Sequence, residues 1–145
     1  MAQIKLSKSA YFHNLEQIYT KVGDKARVFA VLKDNAYGHG LAQIAALASE
    51  FGLKTAVVRD ESEARSIESF FERIIILSHR ANGAESTNAK FIYAINDFSN
   101  LEHIKSGLNV HITLDTLMHR HGLKKHELKE AFKLSKKRKI NICGA

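Results

Sequence analysis

The chain of 145 residues contains no proline and a single cysteine, Cys143. One thiol excludes an internal disulfide framework and a zinc site built from clustered cysteines. No apolar run approaches the roughly 20 residues that a transmembrane helix needs. The N-terminal segment MAQIKLSKSA lacks the apolar centre of a secretory signal. These absences predict a cytoplasmic protein with no membrane partner.

Sequence motifs for nucleotides and metals are also missing. No G-x-G-x-x-G follows a predicted strand and no G-x-x-x-x-G-K-[ST] occurs, which disfavours the nucleotide-binding folds. Eight histidines are present, most densely at His119, His121 and His126. Their spacings are not those of a helical zinc motif, in which two ligands four residues apart share a face, so we predict no metal site.

The net charge of +7 comes from one segment. Nine basic and two acidic residues lie between Arg120 and Lys139, and the rest of the chain is balanced. Such a segment is either a surface for nucleic acid or another acidic partner, or the solvated side of an amphipathic helix. Helical spacing of the apolar residues favours the second interpretation, without a nucleic-acid partner. The predicted inner face consists of Leu128, Ala131, Phe132 and Ser135.

Apolar runs bounded by turn signals alternate with helical periodicities along the chain. Six strands are predicted: the run that stops at Lys33, and residues 54–58, 73–77, 91–95, 110–114 and 139–143, with a further short extended piece at 4–6. Helices are predicted from a cap at Ser7 or Ser9 to Gly23, over 41–51, from a capping box of Asp60 and Glu63 to Phe70, from Asp97 to Gly107, and in the basic segment. The inner face of the first helix is expected at Tyr11, Leu15, Ile18 and Val22. This alternation implies a parallel sheet, either doubly wound or a (β/α)₈ barrel.

The stretch RVFAVLKDNAYGHG, residues 27 to 40, organises this pattern. Alternation along a strand places Phe29, Val31 and Lys33 on one face. The Lys33 amine is therefore expected to project from a row of buried side chains at the carboxyl end of the strand, where parallel α/β folds keep their chemistry. On spacing alone, a solvated lysine is the commoner interpretation.

The residue identities in that stretch indicate a function more specifically than the position of the lysine does. VLKDNAYGHG resembles the pyridoxal-phosphate attachment motif of bacterial alanine racemases, from which Asp34 departs. The matching positions are Lys33, Ala36, Tyr37, Gly38, His39 and Gly40. The resemblance implies that Lys33 is the catalytic base and the attachment point of pyridoxal phosphate, and that Tyr37 contacts the phosphate of this cofactor.

A second segment, LDTLMHRHGL at 114 to 123, is similar to a motif of the same family. The resemblance implies that Met118 and Arg120 bind the substrate. Leu117 and His121 depart from the motif. Thr113 stands where many members have a lysine that holds the arginine, so Arg120 needs another support.

The resemblance selects the barrel. It implies that residues 1–145 are the N-terminal part, five to six strands, of a (β/α)₈ TIM-type barrel that is truncated before closure, with the C-terminal β-domain absent. It further implies the interconversion of L- and D-alanine for peptidoglycan, in a homodimer whose partner subunit supplies a second acid/base, so that this chain is expected to be inactive alone. Two alternatives stay open: another pyridoxal-phosphate barrel, either a cofactor-carrying protein or a decarboxylase, and a non-enzymatic basic binding module.

Overall fold

The computed structural model describes residues 3–145, which form two compact units that divide between Ile75 and Ile76. The first unit contains α1 (Lys8–Val22), a 3₁₀ turn (Lys25–Arg27), β1 (Phe29–Val31), α2 (Lys33–Tyr37), α3 (Leu41–Phe51), β2 (Thr55–Val58) and α4 (Glu61–Ile67). The strand β3 (Arg73–Ile76) spans the division. The second unit contains β4 (Phe91–Ile95), α5 (Phe98–His103), β5 (Asn109–Ile112), a 3₁₀ turn (Lys125–Glu127), α6 (Leu128–Lys137) and β6 (Asn141–Gly144).

Helix ends follow the capping signals of the sequence. The Ser7 hydroxyl accepts a hydrogen bond from the backbone N–H of Ala10 at 3.2 Å, so Ser7 and not Ser9 caps α1. The helix ends at Gly23, which has a left-handed conformation and donates its N–H to Tyr19. Asp60 and Asp97 cap α4 and α5 in the predicted way. The helix α4 stops at Ile67, before the predicted Phe70.

The strands pair in parallel and carry the core. In the first unit β1 pairs with β2, with Ala30 opposite Ala56. In the second unit β5 pairs with β4 on one side and β6 on the other, with an irregularity between Val110 and His111. All residues of β2 and β4 are buried, which explains why these runs are almost continuously apolar.

Further predictions of local structure are wrong. Residues 4–6 form no strand. On α1 only Leu15 is buried, and Ile18 and Val22 are 45% and 37% exposed. Phe132 of α6 is 55% exposed because the buried side of this helix passes through Ala131 and Ser135, and adjacent helical residues point about 100° apart.

The basic segment has a structural component. The Arg138 guanidinium donates to the backbone oxygens of Leu101, Glu102 and Ile104, at the carboxyl end of α5. These carbonyl groups have no partner inside their own helix, and a cation there is favoured by the helix dipole. The positive charge of Arg138 therefore stabilises the end of α5 within the second unit. Within residues 3–145, no helix is both long and apolar enough to cross a membrane.

A buried carboxylate organises the loop after β3. Glu85 is 2% exposed, and its Oε1 accepts from His79 Nε2 and from the N–H of Asn82, both at 2.8 Å. Its Oε2 accepts from the N–H of Lys105 at 2.8 Å. Burial alone would raise the pKa of Glu85, but the hydrogen bonds from His79, Asn82 and Lys105 outweigh it and lower the pKa to about 2. The loop is thus fixed by a carboxylate that is charged at neutral pH.

We predict that Glu85→Gln lowers the free energy of unfolding by about 3 kcal/mol at neutral pH, because a pKa displaced from 4.5 to about 2 corresponds to that order of energy. A folded pKa below the unfolded value stabilises the protein above pH 4.5, and the contribution is lost as the pH falls toward 2. Denaturant titrations at several pH values measure the difference. The exposed Glu102→Gln is the control, and a difference between wild type and Glu85→Gln that does not shrink with falling pH contradicts the assignment.

Candidate functional site

Lys33 lies two residues after Val31, the last residue of β1, where it begins α2, and its side chain is half-buried. Its Nζ is 5.9 Å from the centroid of the Tyr37 ring, so the structure brings these two predicted site residues together. Within residues 3–145, the amine forms no hydrogen bond or ion pair.

The predicted row of buried neighbours is wrong. Phe29 and Val31 are 42% and 46% exposed, whereas Ala30 between them is buried. The reason is that β1 is an edge strand in the described part of the chain, with β2 as its one partner. Lys33 therefore follows the more open face of β1.

The residues after Lys33 adopt an unusual backbone. Asp34, Asn35, Ala36 and Tyr37 all have φ between 51° and 56°, which makes the end of α2 a left-handed helical turn. Left-handed conformation costs an L-residue about 1–2 kcal/mol, and it normally occurs at single positions. A run of four is retained only where the surroundings hold it, and such strain is concentrated at functional sites.

Three side-chain hydrogen bonds hold this left-handed turn, two of them from outside it. Glu63 Oε1 of α4 accepts from the N–H of Asn35 at 2.8 Å. The Asn35 side-chain oxygen in turn accepts from the N–H of Leu41 at 2.8 Å, at the start of α3. Arg59 Nη1, just after β2, donates to Asp34 Oδ1 at 2.8 Å. The departure from the family motif at Asp34 thus has a partner of opposite charge.

Arg59 links this turn to the cap of α4. Its Nε donates to Asp60 Oδ2 at 3.0 Å, while Asp60 Oδ1 accepts from the N–H of Glu63 at 3.1 Å. The Glu63 N–H, assisted by Arg59, lowers the pKa of Asp60 below its ordinary value although burial opposes this. The hydrogen bond from Arg59 to Asp60, together with the charges of Asp60 and Asp34, raises the pKa of Arg59. These groups are therefore ionised at neutral pH.

A cavity of about 470 Å³ lies beside the turn, between α1, β1 and α3. Its lining is mostly apolar, with Leu15 and Phe29 among the contributors, and it also includes Tyr37 and His39. Burial raises the pKa of Tyr11, which also lines it. Lys33 is not part of this lining, so the cavity does not enclose the amine.

In the second unit, the loop after β5 carries Met118 and Arg120, both exposed. Asp115 holds this loop: its Oδ1 accepts from the N–H groups of Leu117 and His119, each at 3.0 Å. These bonds, led by that from the N–H of His119, lower the pKa of Asp115. The loop borders a polar space of about 400 Å³ that Arg120 and His121 also line.

Arg120 is supported through the backbone of its loop. Its side chain forms no hydrogen bond or ion pair within residues 3–145. Thr113, at the position of the family's lysine, donates its hydroxyl to Asn96 Oδ1 at 3.1 Å instead. The Asn96 backbone oxygen accepts from the N–H of Gly122 at 2.8 Å, and Thr113 O accepts from Leu123 N–H at 2.8 Å. Thr113 and Asn96 therefore hold the backbone at the end of the loop and do not contact the Arg120 guanidinium.

One histidine of this loop lies beside an acidic side chain. His119 Nδ1 lies 3.3 Å from Asp115 Oδ2. Within residues 3–145, no group of three or more His, Cys, Asp or Glu side chains is arranged to hold a metal ion.

Comparison with known proteins identifies the family. The family model described as alanine racemase, N-terminal domain, matches residues 6–145. This chain belongs to the alanine racemase family. An alanine racemase of Campylobacter curvus is 55% identical over 145 residues, which are 100% of this chain and 42% of that protein. The chain therefore spans less than half the length of this curated relative.

Solved structures agree with this family. An alanine racemase from Bartonella henselae with covalently bound pyridoxal phosphate has a TM-score of 0.73 and 25% identity, over 94% of this chain and 43% of its own. A histidine racemase from Leuconostoc mesenteroides shares the fold, with a TM-score of 0.77 and 24% identity over 93% of this chain and 40% of its own. The predicted fold class, α/β and the N-terminal part of a TIM-type barrel, is confirmed.

Sequence reasoning missed the residues that support the two loops. The spacing of Glu63 to Asp60 predicts a helix-capping residue of α4 and gives no sign of its contact with Asn35. Arg59 and Asn96 gave no signal, because their partners are distant in sequence and become neighbours only when parallel strands align. Asp34 departs from the motif, and its partner Arg59 follows the next strand.

We predict that Gly122→Ala displaces the Arg120 loop. Gly122 has a φ of +117°, and an added Cβ would lie 2.4 Å from Asp115 N and 2.5 Å from Leu114 C. Both the clash with backbone and the left-handed conformation oppose the substitution, so the free energy of unfolding should fall by about 2 kcal/mol or more. Denaturant titration measures the loss.

Gly107→Ala is the matched control for that substitution. Gly107 has a φ of +83° with no heavy atom within 4 Å of the added Cβ, so it reports the conformational cost alone. Equal losses in the two variants would contradict a role of Gly122 in the close approach to Asp115.

Proposed function

We propose that this chain carries the cofactor-binding lysine of an alanine racemase, and that Lys33 is the attachment point of pyridoxal phosphate. The observation that supports this most is the placement of the Lys33 amine. It lies near the carboxyl end of β1 and has no hydrogen bond or ion pair within residues 3–145. The turn that follows Lys33 is held by three side-chain hydrogen bonds. A lysine used only as a surface cation needs no such turn. The family and the Bartonella henselae structure add to this support.

The residues fit the cofactor in their chemistry. When bound, pyridoxal phosphate accepts the electron pair that remains on Cα after the proton departs. Lys33 in its uncharged form would hold the cofactor by a bond from Nζ to the aldehyde carbon, with loss of water. Once the amine of the substrate has replaced Lys33 at that carbon, the freed Nζ would take the Cα proton. The exposed Tyr37 hydroxyl is available to donate to the phosphate.

The loop after β5 would serve the substrate. The Arg120 guanidinium is charged at every working pH and holds an oxygen anion in a fixed geometry, which suits the carboxylate of alanine. Met118 on the same loop would pack against the substrate. Support for alanine itself comes from family membership, because a fold shared with a histidine racemase does not select the amino acid.

Racemisation also needs an acid/base group on the opposite face of the substrate. We infer that the 145 residues do not supply it, since they correspond to 42% of the length of the Campylobacter curvus relative. The chain by itself should therefore show no racemase activity. Homodimer formation, a role in peptidoglycan synthesis and a cytoplasmic location belong to the same proposal.

The decisive experiment is covalent labelling. The chain is incubated with pyridoxal phosphate, reduced with borohydride, and digested, and the labelled peptide is located by mass spectrometry. We expect the label at Lys33 and its loss in Lys33→Ala. The exposed Lys21→Ala should retain it. Label spread evenly over the lysines would contradict the cofactor assignment, and racemisation of alanine by the 145-residue chain would contradict the missing second acid/base.

The same experiment separates the alternatives. A Lys33 label combined with loss of carbon dioxide from an amino acid would indicate a decarboxylase. Absence of a Lys33 label, combined with salt-sensitive binding to nucleic acid, would favour the basic binding module.

A further inference from the structure

Glu63 uses both carboxylate oxygens outside its own helix. The predicted capping box has its first half, because Asp60 accepts from the N–H of Glu63. In a complete capping box the Glu63 carboxylate would also accept from the N–H of Asp60, but here it accepts from two other N–H groups. Glu63 Oε2 accepts from the N–H of Arg59 at 2.9 Å, and Oε1 accepts from the N–H of Asn35 at 2.8 Å. One carboxylate thus joins the segment after β2 to the turn after β1.

The bond to Asn35 is made in the middle of the left-handed turn. Asn35 has a φ of 56° and ψ of 45°, between Asp34 and Ala36 in the same conformation. A charged acceptor makes a stronger hydrogen bond with a backbone N–H than a neutral one does. Because Lys33 directly precedes this turn, a change in its backbone path redirects the Lys33 side chain.

We propose that Glu63 is a positioning residue for Lys33: its carboxylate fixes the left-handed turn and thereby the direction of the reactive amine. The importance of that direction for cofactor attachment rests on the proposed function. The effect of Glu63 on the turn does not, since it follows from the contact with Asn35 alone. The two statements can therefore fail separately.

The ion pair of Arg59 with Asp34 holds the turn more weakly than the hydrogen bond between Glu63 and Asn35 does. Its side chains are 52% and 46% exposed, and exposed ion pairs contribute little to stability. Glu63 is less exposed than Arg59 and Asp34. Its carboxylate accepts from two N–H groups of the backbone, which is less mobile than a side chain. We therefore assign the main positioning effect to Glu63 and a minor one to Arg59.

The test compares Glu63→Gln with Glu61→Gln, which removes the same charge from the same helix. The carboxylate of Glu61 pairs with Arg65 of the same helix at 2.9 Å. Hydrogen exchange of the Asn35 amide, followed by NMR, reports the turn without any cofactor. We expect exchange about ten-fold faster in Glu63→Gln and unchanged in Glu61→Gln, as loss of a charge-assisted hydrogen bond predicts.

The second readout is the rate at which added pyridoxal phosphate becomes fixed to Lys33 under borohydride, with the visible absorbance of the bound cofactor recorded before reduction. We expect a slower rate and an altered absorbance band in Glu63→Gln, partial recovery in Glu63→Asp, and a small effect in Arg59→Gln. Arg65→Gln is the matched control for Arg59→Gln. A purely structural role would change the free energy of unfolding without recovery of the absorbance band by Glu63→Asp.

The outcomes are distinct. Unchanged Asn35 exchange in Glu63→Gln overturns the inference, whatever happens at Lys33. Faster Asn35 exchange with an unchanged labelling rate also overturns it, since the turn would then not direct the amine. A wild-type chain that gives no Lys33 label contradicts the proposed function instead. If Glu63→Gln does not fold, Glu63→Asp decides between these outcomes, because it keeps the charge and shortens only the reach to Asn35.

Discussion

The constraint on which the candidate site depends is a left-handed backbone that must be held in place. Four consecutive L-residues after Lys33 have positive φ, and each is less stable there than in an ordinary helix. Two hydrogen bonds offset this cost: the Glu63 carboxylate accepts from the N–H of Asn35, and the Asn35 side-chain oxygen accepts from the N–H of Leu41. Both bonds stabilise this one backbone path. The strain and its compensation together make the direction of Lys33 specific, which a flexible loop would not do.

Carboxylates that accept backbone N–H groups recur at the loops of this chain. Glu63 holds the turn after β1, Glu85 the loop after β3, and Asp115 the loop after β5. Each accepts at least two N–H groups, so a single charged side chain fixes several points of the backbone at once. Loops of parallel α/β proteins have few backbone partners of their own, and these carboxylates replace the ladder bonds that strands have.

The family assignment and the loop geometry support each other without being the same observation. The family rests on matched sequence over residues 6–145. The loop geometry explains two departures from the family pattern: Asp34 has Arg59 as its partner, and Thr113 bonds Asn96. In both cases a position that differs from the motif is joined to a residue after a neighbouring strand. Departures from a motif are therefore as informative as matches once their neighbours are known.

The sequence by itself determined the order of strands and helices, the caps at Asp60 and Asp97, and the position of Lys33 just after a strand. These features depend on residues close together along the chain, where capping and periodicity act. Only the tertiary structure decided the exposure of Phe29, Val31 and Phe132, the left-handed turn, and the second partner of Glu63. Those depend on which distant segments become neighbours. Asn35 and Glu63 are 28 positions apart in the sequence, and no local pattern signals their contact.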